Sequence, residues 1–461
     1  MLAPQAVSNR CMMLIAGDFC IAALAAYAVF AIVSLSEPVS AIHHNVLCLA
    51  VLLGLLCVVA NNFQDLYAVE QSFTDGEIVA GLLMASLKLS AVLAIVMLSN
   101  HQPLLYRGVY LTYLGLATLL LIVWRLGVKV ASTGHVTNEV LILGNGALAR
   151  QIASEIDSRS HLGYKCLGFV RATSLQRAAG DQPFATGDTT YLAASLGTLA
   201  RNGHPDSLIV DVDAFEYPAQ ELLKWRLSGV EVIDCESFYE RMTGKLPVNE
   251  LRESWLLFSP GFLRQRWRLL AKRFVDLVTA LILLVFSVPV VVLAAIAIKL
   301  DSAGPLFYSQ DRVGVNGRVF RILKFRSMLA DAEQRSGVIW AAPRDPRITR
   351  VGRIIRRLRI DELPQLLNVL RGDMSLVGPR PERPEIIAHL KRMMSLYDYR
   401  HGVRPGLTGW AQVCYPYGAT VDDAREKLCY DLYYIKNWSL TFDLQILLQT
   451  VKVVVYGRGG R

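Results

Sequence analysis

No Cys-x-x-Cys pair occurs among the eight cysteines of this 461-residue chain. Their scatter argues against a disulfide framework and against a structural zinc site, and fits a reducing compartment. Charge is scarce too: Asp, Glu, Lys and Arg make up 19% of the residues, against 53% hydrophobic. That balance excludes a disordered chain and a purely soluble enzyme. The few charges are unevenly split. Residues 263–461 hold 32 of the 48 Lys and Arg but 17 of the 39 Asp and Glu, a net of +15, which leaves −6 for the first 262 residues. A basic C-terminal part on an apolar chain points to anionic ligands, a membrane surface, or both. The length accommodates two or three domains.

Four apolar runs fill the first third, at residues 12–35, 46–60, 78–98 and 109–124. Crossing a bilayer takes about 20 apolar residues, so the first and third suffice alone and the others need their flanks. Together they predict a four-helix transmembrane domain over residues 1–130. Arg10 and Ala23-Leu24-Ala25 lend the first run some signal-peptide character, but three further runs favour a retained anchor. Asp18 and Lys88 lie inside the runs, where a charge is costly, and are expected to face the bundle interior and pair with each other. Four spans return both ends to one side, and Arg10 with Lys129 favour the cytoplasm.

Residues 131–238 read as a Rossmann-like α/β domain. A strand at 139–144 leads into Gly144-x-Gly146-x-x-Ala149 and a helix through Ile156, and further apolar runs at 166–170, 207–212 and 230–235 alternate with helical patterns. Such a glycine turn can hold a pyrophosphate at a helix N-terminus. The acidic ribose ligand expected after the second strand is replaced by Arg171, however, so no bound cofactor is expected. Residues 239–262 mix charge, Gly and Pro and read as a linker.

Beyond the linker, Arg264, Arg266, Arg268, Lys272 and Arg273 alternate with Leu, Trp and Phe, a basic lead-in suited to an anionic membrane surface. Residues 277–298 then run uncharged. Pro289 sits near their middle, unable to donate to the Val285 carbonyl, and Ser287 is placed to satisfy a freed backbone group. Both a kinked ordinary span and a helix that re-enters the same face fit these facts. On the residues alone the ordinary span is the simpler.

The chemistry lies in the last 160 residues. Arg347, Arg350, Arg353, Arg356, Arg357 and Arg359 crowd together, several at the spacing of one helix face. Asp361-Glu362-Leu363-Pro364-Gln365 follows, with Asp361 placed like an N-cap, Leu363, Leu366, Leu367 and Leu370 in helical period, and Gly372 to close the helix. A carboxylate held ionised by a helix dipole, beside guanidiniums that neutralise phosphates, is equipped to attack a phosphoryl group. Glu362 offers a hard oxygen for Mg²⁺, which takes one or two carboxylates plus substrate phosphates. Aromatics are not interleaved among the arginines, which argues against nucleic acid.

The order of motifs carries a resemblance. Lys272-Arg273-x-x-Asp276, the Pro-broken helix, Ser302-x-Gly304-Pro305, Gln310-x-Arg312-x-Gly314 and Lys324-Phe325-Arg326-Ser327-Met328 come first. Asp361-Glu362-Leu363-Pro364-Gln365, Gly372-Asp373-Met374-Ser375, Val377-Gly378-Pro379-Arg380-Pro381 and Arg404-Pro405-Gly406-Leu407-Thr408-Gly409-Trp410-Ala411-Gln412 complete the series. In this order they resemble the bacterial sugar transferases, the polyprenyl-phosphate glycosyl-1-phosphate transferases, in their large membrane form. Residues 414–418 and 456–459 look like the exosortase-associated exopolysaccharide subgroup.

The resemblance implies a monotopic, mostly α catalytic domain over residues 263–461, on a re-entrant membrane helix broken at Ser287 and Pro289. It implies transfer of a hexose-1-phosphate from a UDP-sugar to undecaprenyl phosphate, through a covalent aspartyl intermediate with release of UMP. This would be the first membrane step of exopolysaccharide repeat-unit synthesis. By the same resemblance Asp361 is the nucleophile, Glu362 the Mg²⁺ ligand and Arg356 a phosphate-binding arginine. Lys324, Arg380, Asp431, Arg404 and Gln412 match substrate-binding positions. The expected partners are membrane lipids, downstream glycosyltransferases and a second copy in a homodimer. The expected location is the bacterial inner membrane, multi-pass, with the catalytic domain facing the cytoplasm.

Two other classes compete. A membrane-bound nucleotide-sugar dehydratase or epimerase shares the spans and the glycine turn, but it needs a Tyr-x-x-x-Lys pair, and no Tyr in the chain has Lys four residues on. A non-catalytic polysaccharide-assembly scaffold would account for the first two domains but not for the motifs after residue 263.

Overall fold

The computed structural model describes residues 4–36, 46–64, 66–67, 74–99, 104–133, 138–159, 163–170, 205–211, 219–251, 253–262, 265–329, 345, 347–416, 418 and 420–455. The chain divides into two compact units, Met1–Gly244 and Lys245–Arg461.

The first unit opens with four long helices: α1 (Pro4–Ser36), α2 (Val46–Phe63), α3 (Asp75–Ser99) and α4 (Leu104–Thr133). Each predicted apolar run forms one of them, and each helix continues past its run into polar flanks. Small residues let α1 approach its neighbours: Ala22, Ala25 and Ala26 are buried against a core that includes Leu53, Leu82 and Tyr113. The outward faces are apolar as well, with Leu24, Ile32, Leu55, Leu87 and Val123 all exposed. A helix apolar on every side is at rest only in lipid or in a large core.

Inside this bundle Asp18 is fully buried. Its partner is Arg125, whose Nη2 donates to Asp18 Oδ2 at 2.6 Å. The expected pair with Lys88 does not form; Lys88 lies on an exposed face of α3. Asn61 and the Tyr67 hydroxyl also donate to Asp18, at 3.0 and 2.7 Å. Arg125 spends its remaining amino group on the Leu66 carbonyl at 2.8 Å, and its guanidinium lies over the Tyr67 ring. One carboxylate thus ties together α1, α2, the turn after α2, and α4.

The α/β part of the unit runs β1 (Asn138–Leu143), α5 (Ala147–Ser158), β2 (Tyr164–Val170), β3 (Ser207–Val210), α6 (Ala219–Leu227), β4 (Glu231–Asp234) and α7 (Cys235–Thr243). The sheet order is β2-β1-β3-β4, parallel throughout. Alternation along β1 loads both faces: Val140 and Ile142 pack with Ile152, Phe238 and Met242, while Leu141 and Leu143 pack with Leu222 and Trp225. The four predicted strands fall within two residues of their places. Arg171 lies outside the described residues.

The glycine turn is occupied by the chain's own carboxylate. Gly146 N donates to Asp211 Oδ2 at 2.7 Å, and a Cβ at Gly144, whose φ is +113°, would meet Asp211 Cβ at 2.5 Å. The linker reading of 239–262 needs correction. Helix α7 runs to Thr243, with Phe238, Tyr239 and Met242 buried under the sheet, capped by the Asp234 side chain at its start and by left-handed Gly244 at its end. Charges at Glu236, Glu240 and Arg241 mask that apolar stripe in the sequence.

The second unit begins at once. Lys245 pairs with Glu426, Leu246 N donates to the Cys429 carbonyl, and a short helix α8 (Glu253–Phe258) sets Trp255 under the Lys436 ammonium. Helix α9 (Arg266–Asp301) is 36 residues long and contains Pro289. Ser287 Oγ donates to the Leu284 carbonyl at 2.9 Å, one residue before the Val285 carbonyl that Pro289 cannot reach. Exposed Phe274, Leu281, Phe286 and Leu293 clothe this helix in hydrocarbon. Among the described residues, five helices are long and apolar enough to cross a membrane: α1 to α4 and α9. They give the chain a multi-pass membrane topology.

The remainder of the unit is small and mostly helical. An antiparallel hairpin pairs β5 (Phe307–Val313) with β6 (Val319–Phe325). Then come α10 (Arg350–Arg357), a 3-10 turn (Ile360–Gln365), α11 (Leu366–Arg371), β7 (Ser375–Val377), α12 (Pro384–Met393) and a second 3-10 segment (Ser395–Gly402). Strand β8 (Gly406–Thr408), parallel to β7, precedes α13 (Trp410–Cys414), α14 (Val421–Asn437) and α15 (Leu440–Val455).

Breaking the bundle's ion pair is expected to be severe. Arg125→Met leaves Asp18 buried and unpaired, at a cost of about 3–5 kcal/mol. Thermal unfolding in detergent checks this, and an unchanged melting temperature would show that the pair contributes nothing to stability.

Candidate active site

Asp361 does not cap a helix N-terminus, as its sequence position suggested. It lies inside the 3-10 turn, and the residue before that turn, Arg359, takes a left-handed conformation with φ +58°. A non-glycine residue held there stores strain of order 1–3 kcal/mol. The tight turn arises because Pro364 cannot donate a backbone bond inside it, and α11 proper starts only at Leu366. Gly372 closes α11 at φ +96°, as its position predicts.

This geometry turns both carboxylates inward; Asp361 and Glu362 are each 7% exposed. Three cations meet Glu362. Arg380 Nη2 donates to Oε1 at 2.7 Å, Lys324 Nζ lies 3.4 Å from the same oxygen, and Arg359 Nη1 lies 3.4 Å from Oε2. Burial alone would raise the Glu362 carboxyl, but Arg380, Lys324 and Arg359 outweigh it and hold the group well below the usual carboxylate range. Asp361 goes the other way. Burial and the negative charge of Glu362 push it up to about 6, against the pull of Lys324, Arg356 and Arg359. Two adjacent carboxyls are thus driven apart in acidity, the pattern of a pair with divided roles. Among the described residues no hydrogen bond ends on the Asp361 carboxylate, so its oxygens are available to a ligand.

The surrounding elements fix these charges. Asn368, fully buried on α11, accepts from Leu323 N at 3.0 Å and donates to the Arg321 carbonyl at 2.9 Å, which locks α11 to the strand that carries Lys324. Arg380 stands in a clamped loop. Gly378 N donates to the Thr408 carbonyl, Gly406 N to the Pro379 carbonyl, and Arg312 Nη1 to the Pro381 carbonyl. A Cβ at Gly378 would stand 2.4 Å from the Arg404 carbonyl, so only glycine lets the two strands approach.

The structure brings Lys324, Arg356 and Arg380 to the acidic pair. Asp431 stands behind them, bonded to Arg400 at 2.8 Å. Arg404 is exposed and lies near Arg273, and Gln412 reaches the Leu407 carbonyl at 3.4 Å; neither is bonded to Asp361 or Glu362 among the described residues. Ser287 and Pro289 sit within α9. The sequence reading passed over Arg359, Arg312, Asn368 and Arg400 as site residues. Arg312 and Arg359 stood in or beside quoted motifs; nothing local to Asn368 or Arg400 betrays their role. On α10, Arg350, Arg353 and Arg357 point to solvent.

The residues present suit a magnesium ion. Asp361 and Glu362 supply hard oxygens, and Asp361 has free ones. Among the described residues no group of three or more acidic, His or Cys side chains forms a metal cage.

A buried acidic pair ringed by Lys and Arg, on a unit carried by an apolar helix, defines a membrane-anchored site for phosphoryl chemistry. The chain belongs to the bacterial sugar transferase family, whose model matches residues 267–457. It is 43% identical over 243 residues to the UDP-N-acetylgalactosamine-undecaprenyl-phosphate N-acetylgalactosaminephosphotransferase of Aeromonas hydrophila, covering 52% of this chain and 56% of that protein. It is 38% identical over 339 residues to the undecaprenyl-phosphate glucose phosphotransferase of Komagataeibacter xylinus, covering 71% and 60%. It is 48% identical over 184 residues to the UDP-glucose:undecaprenyl-phosphate glucose-1-phosphate transferase of Caulobacter vibrioides, covering 40% and 68%. The chain thus spans little more than half the length of the first two.

The acidity of Asp361 is directly measurable. Labelling by a hydrophobic carbodiimide requires the protonated carboxyl, so it should rise as pH falls, with a midpoint near 6 rather than the ordinary value near about 4. Arg380→Ala, which removes a cation that favours the ionised form, should move the midpoint up. Peptide mass spectrometry reads the labelling; a midpoint near 4 in the wild type would refute the assigned burial effect.

Proposed function

We propose that this chain transfers a hexose-1-phosphate from a UDP-sugar to undecaprenyl phosphate, and that Asp361 carries the group in between. The observation that supports it most is the division of labour at the dyad: Glu362 is held ionised by three neighbouring cations, while Asp361 is buried with unbonded oxygens. An Asp361 oxygen attacks the sugar-side phosphorus of the diphosphate. The phosphoanhydride bond breaks, and UMP leaves with the bridging oxygen. A phosphate oxygen of the lipid then attacks the same phosphorus, the aspartyl–phosphorus bond breaks, and Asp361 is regenerated.

Lys324, Arg356, Arg359 and Arg380 face the anionic phosphates and offset charge that would repel Asp361. Glu362 would hold Mg²⁺, which when bound supplies further neutralisation of the diphosphate. The relatives named above act on glucose and N-acetylgalactosamine donors, which favours a hexose without choosing one. The product would begin an exopolysaccharide repeat unit. The narrower likeness to the exosortase-associated subgroup rests on residues 414–418 and 456–459, the latter outside the described residues. The parallel α/β sheet, helices on both faces, supports a Rossmann-like reading of residues 131–238.

The site would sit at the cytoplasmic membrane surface on a re-entrant α9. Near its start, Arg273 donates to the Val369 and Leu370 carbonyls, and Asp276 accepts from Ser375 and Leu376. Near its end, Ala294 and Ile298 pack with Phe325, Ile355 and Ile360. A straight helix would separate residues 273 and 298 by roughly 37 Å. The segment from Ile360 to Leu370 that both ends grip would span less than about 20 Å. A bend at Pro289 reconciles the two. Cysteines placed at Arg268 and Ala303, in a background without native cysteines, should label from the same side of sealed vesicles; labelling from opposite sides would make α9 an ordinary span.

Release of UMP from a panel of UDP-sugars, with undecaprenyl phosphate and Mg²⁺, tests the activity. Asp361→Asn should abolish both turnover and donor-dependent labelling of the protein, and Glu362→Gln should lower Mg²⁺-dependent turnover at least about a hundredfold. Labelling that persists in Asp361→Asn would remove Asp361 as the nucleophile.

A further inference from the structure

The cation closest to Glu362 is itself aimed from behind by a second ion pair. Arg400, on the second 3-10 segment, is 7% exposed, and Asp431, on α14, is 2% exposed. Three acceptors surround the Arg400 guanidinium. Nη1 donates to the Tyr397 hydroxyl at 2.6 Å, and Nη2 donates both to Asp431 Oδ2 at 2.8 Å and to the Arg380 backbone carbonyl at 2.9 Å. The guanidinium also lies over the Tyr397 ring, 5.0 Å from its centroid. A planar fork held at three points has little freedom to rotate.

A carboxylate that bound substrate would turn its oxygens toward the acidic pair. Asp431 turns one toward Arg400 instead, and Arg400 passes the constraint to the backbone of Arg380. From Arg380 the side chain reaches Glu362 at 2.7 Å. The path from α14 to the dyad is therefore continuous: Asp431, Arg400, the Arg380 carbonyl, the Arg380 guanidinium, Glu362. We propose that Arg400, anchored by Asp431, is a positioning residue that sets the Arg380 guanidinium against Glu362, and that Asp431 does not contact substrate. This rests on the transferase reading above and adds the means by which its phosphate-facing cation is held.

The physical demand is strict. Phosphoryl transfer here depends on placement of charge, and a displacement of about 1 Å at such a site costs on the order of a hundredfold in rate. Removing the charge of Asp431 leaves Arg400 buried with Glu382 as the nearby carboxylate whose charge bears on it. Arg400 then shifts toward Glu382 and loosens its hold on the Arg380 carbonyl. The loss falls mainly on the chemical step, because Lys324, Arg356 and Arg359, three of the four cations that face the donor phosphates, are untouched.

The test is a double-mutant cycle on UMP release by the full-length protein in detergent or nanodiscs, using the donor that the wild type turns over. Asp431→Asn should lower kcat about twentyfold while the donor KM changes less than about threefold. In an Arg380→Ala background, where nothing is left to aim, the same substitution should cost less than about threefold more. Arg400→Lys, which keeps a charge beside Asp431 but lacks the fork that also reaches the Arg380 carbonyl, should reproduce the kcat loss and covers the case in which Asp431→Asn does not fold. Equal losses in both backgrounds, a loss carried by KM, or wild-type kcat in Arg400→Lys would overturn the proposal. A wild-type protein that releases no UMP would overturn the transferase reading and this proposal with it, so the wild-type rate tells the two failures apart.

Discussion

Three cations held against one buried carboxylate set the terms for the second unit. Glu362 could not lie at 7% exposure as an anion without Arg380, Lys324 and Arg359 around it. Burial and this fixed negative charge one residue away together push the Asp361 carboxyl up to about 6. Much of the local architecture keeps this cluster assembled. Asn368 fastens α11 to β6, the two short parallel strands clamp the loop of Arg380, and left-handed Arg359 turns the chain so that both carboxylates face inward.

Helix α9 ties that cluster to a long apolar surface. Its polar anchors are confined to the ends: Arg273 and Asp276 at one, Lys299 and Asp301 at the other, where Asp301 accepts from Val351 N at the start of α10. Between them nearly every side chain is apolar, and about half are exposed. A water-soluble nucleotide sugar and a lipid phosphate could reach such a surface in turn. A covalent carrier suits that arrangement, because it removes the need to hold both substrates together.

Composition and period made the frame legible. The four apolar runs, the four strands and the helix after the dyad stand where hydrophobic patterning put them, because each buries a continuous face or stripe. What depended on distant partners was not legible. Asp18 found Arg125, 107 residues away at the far edge of the last run, and not Lys88, whose side of α3 faces outward. Helix α7 was hidden because Glu236, Glu240 and Arg241 interrupt its apolar stripe, although Phe238, Tyr239 and Met242 carry the period. Asp361 was misplaced by one turn because Pro364 tightens the start of the helix. Asp431 matched a family position by motif, but its role depends on Arg400, 31 residues earlier, and no local pattern joins them.

The pairing of Asp18 with Arg125 bears on how the bundle behaves in a living cell. A lone ionised group at membrane depth is pulled by the electric field at about 2.3 kcal/mol per 100 mV if it crosses the full drop. Here two opposite charges are bonded at 2.6 Å, so a uniform field exerts no net force on the pair. An energised bilayer and a discharged one should therefore leave this core equally stable, which suits a scaffold that must hold its shape while the voltage across it rises and falls.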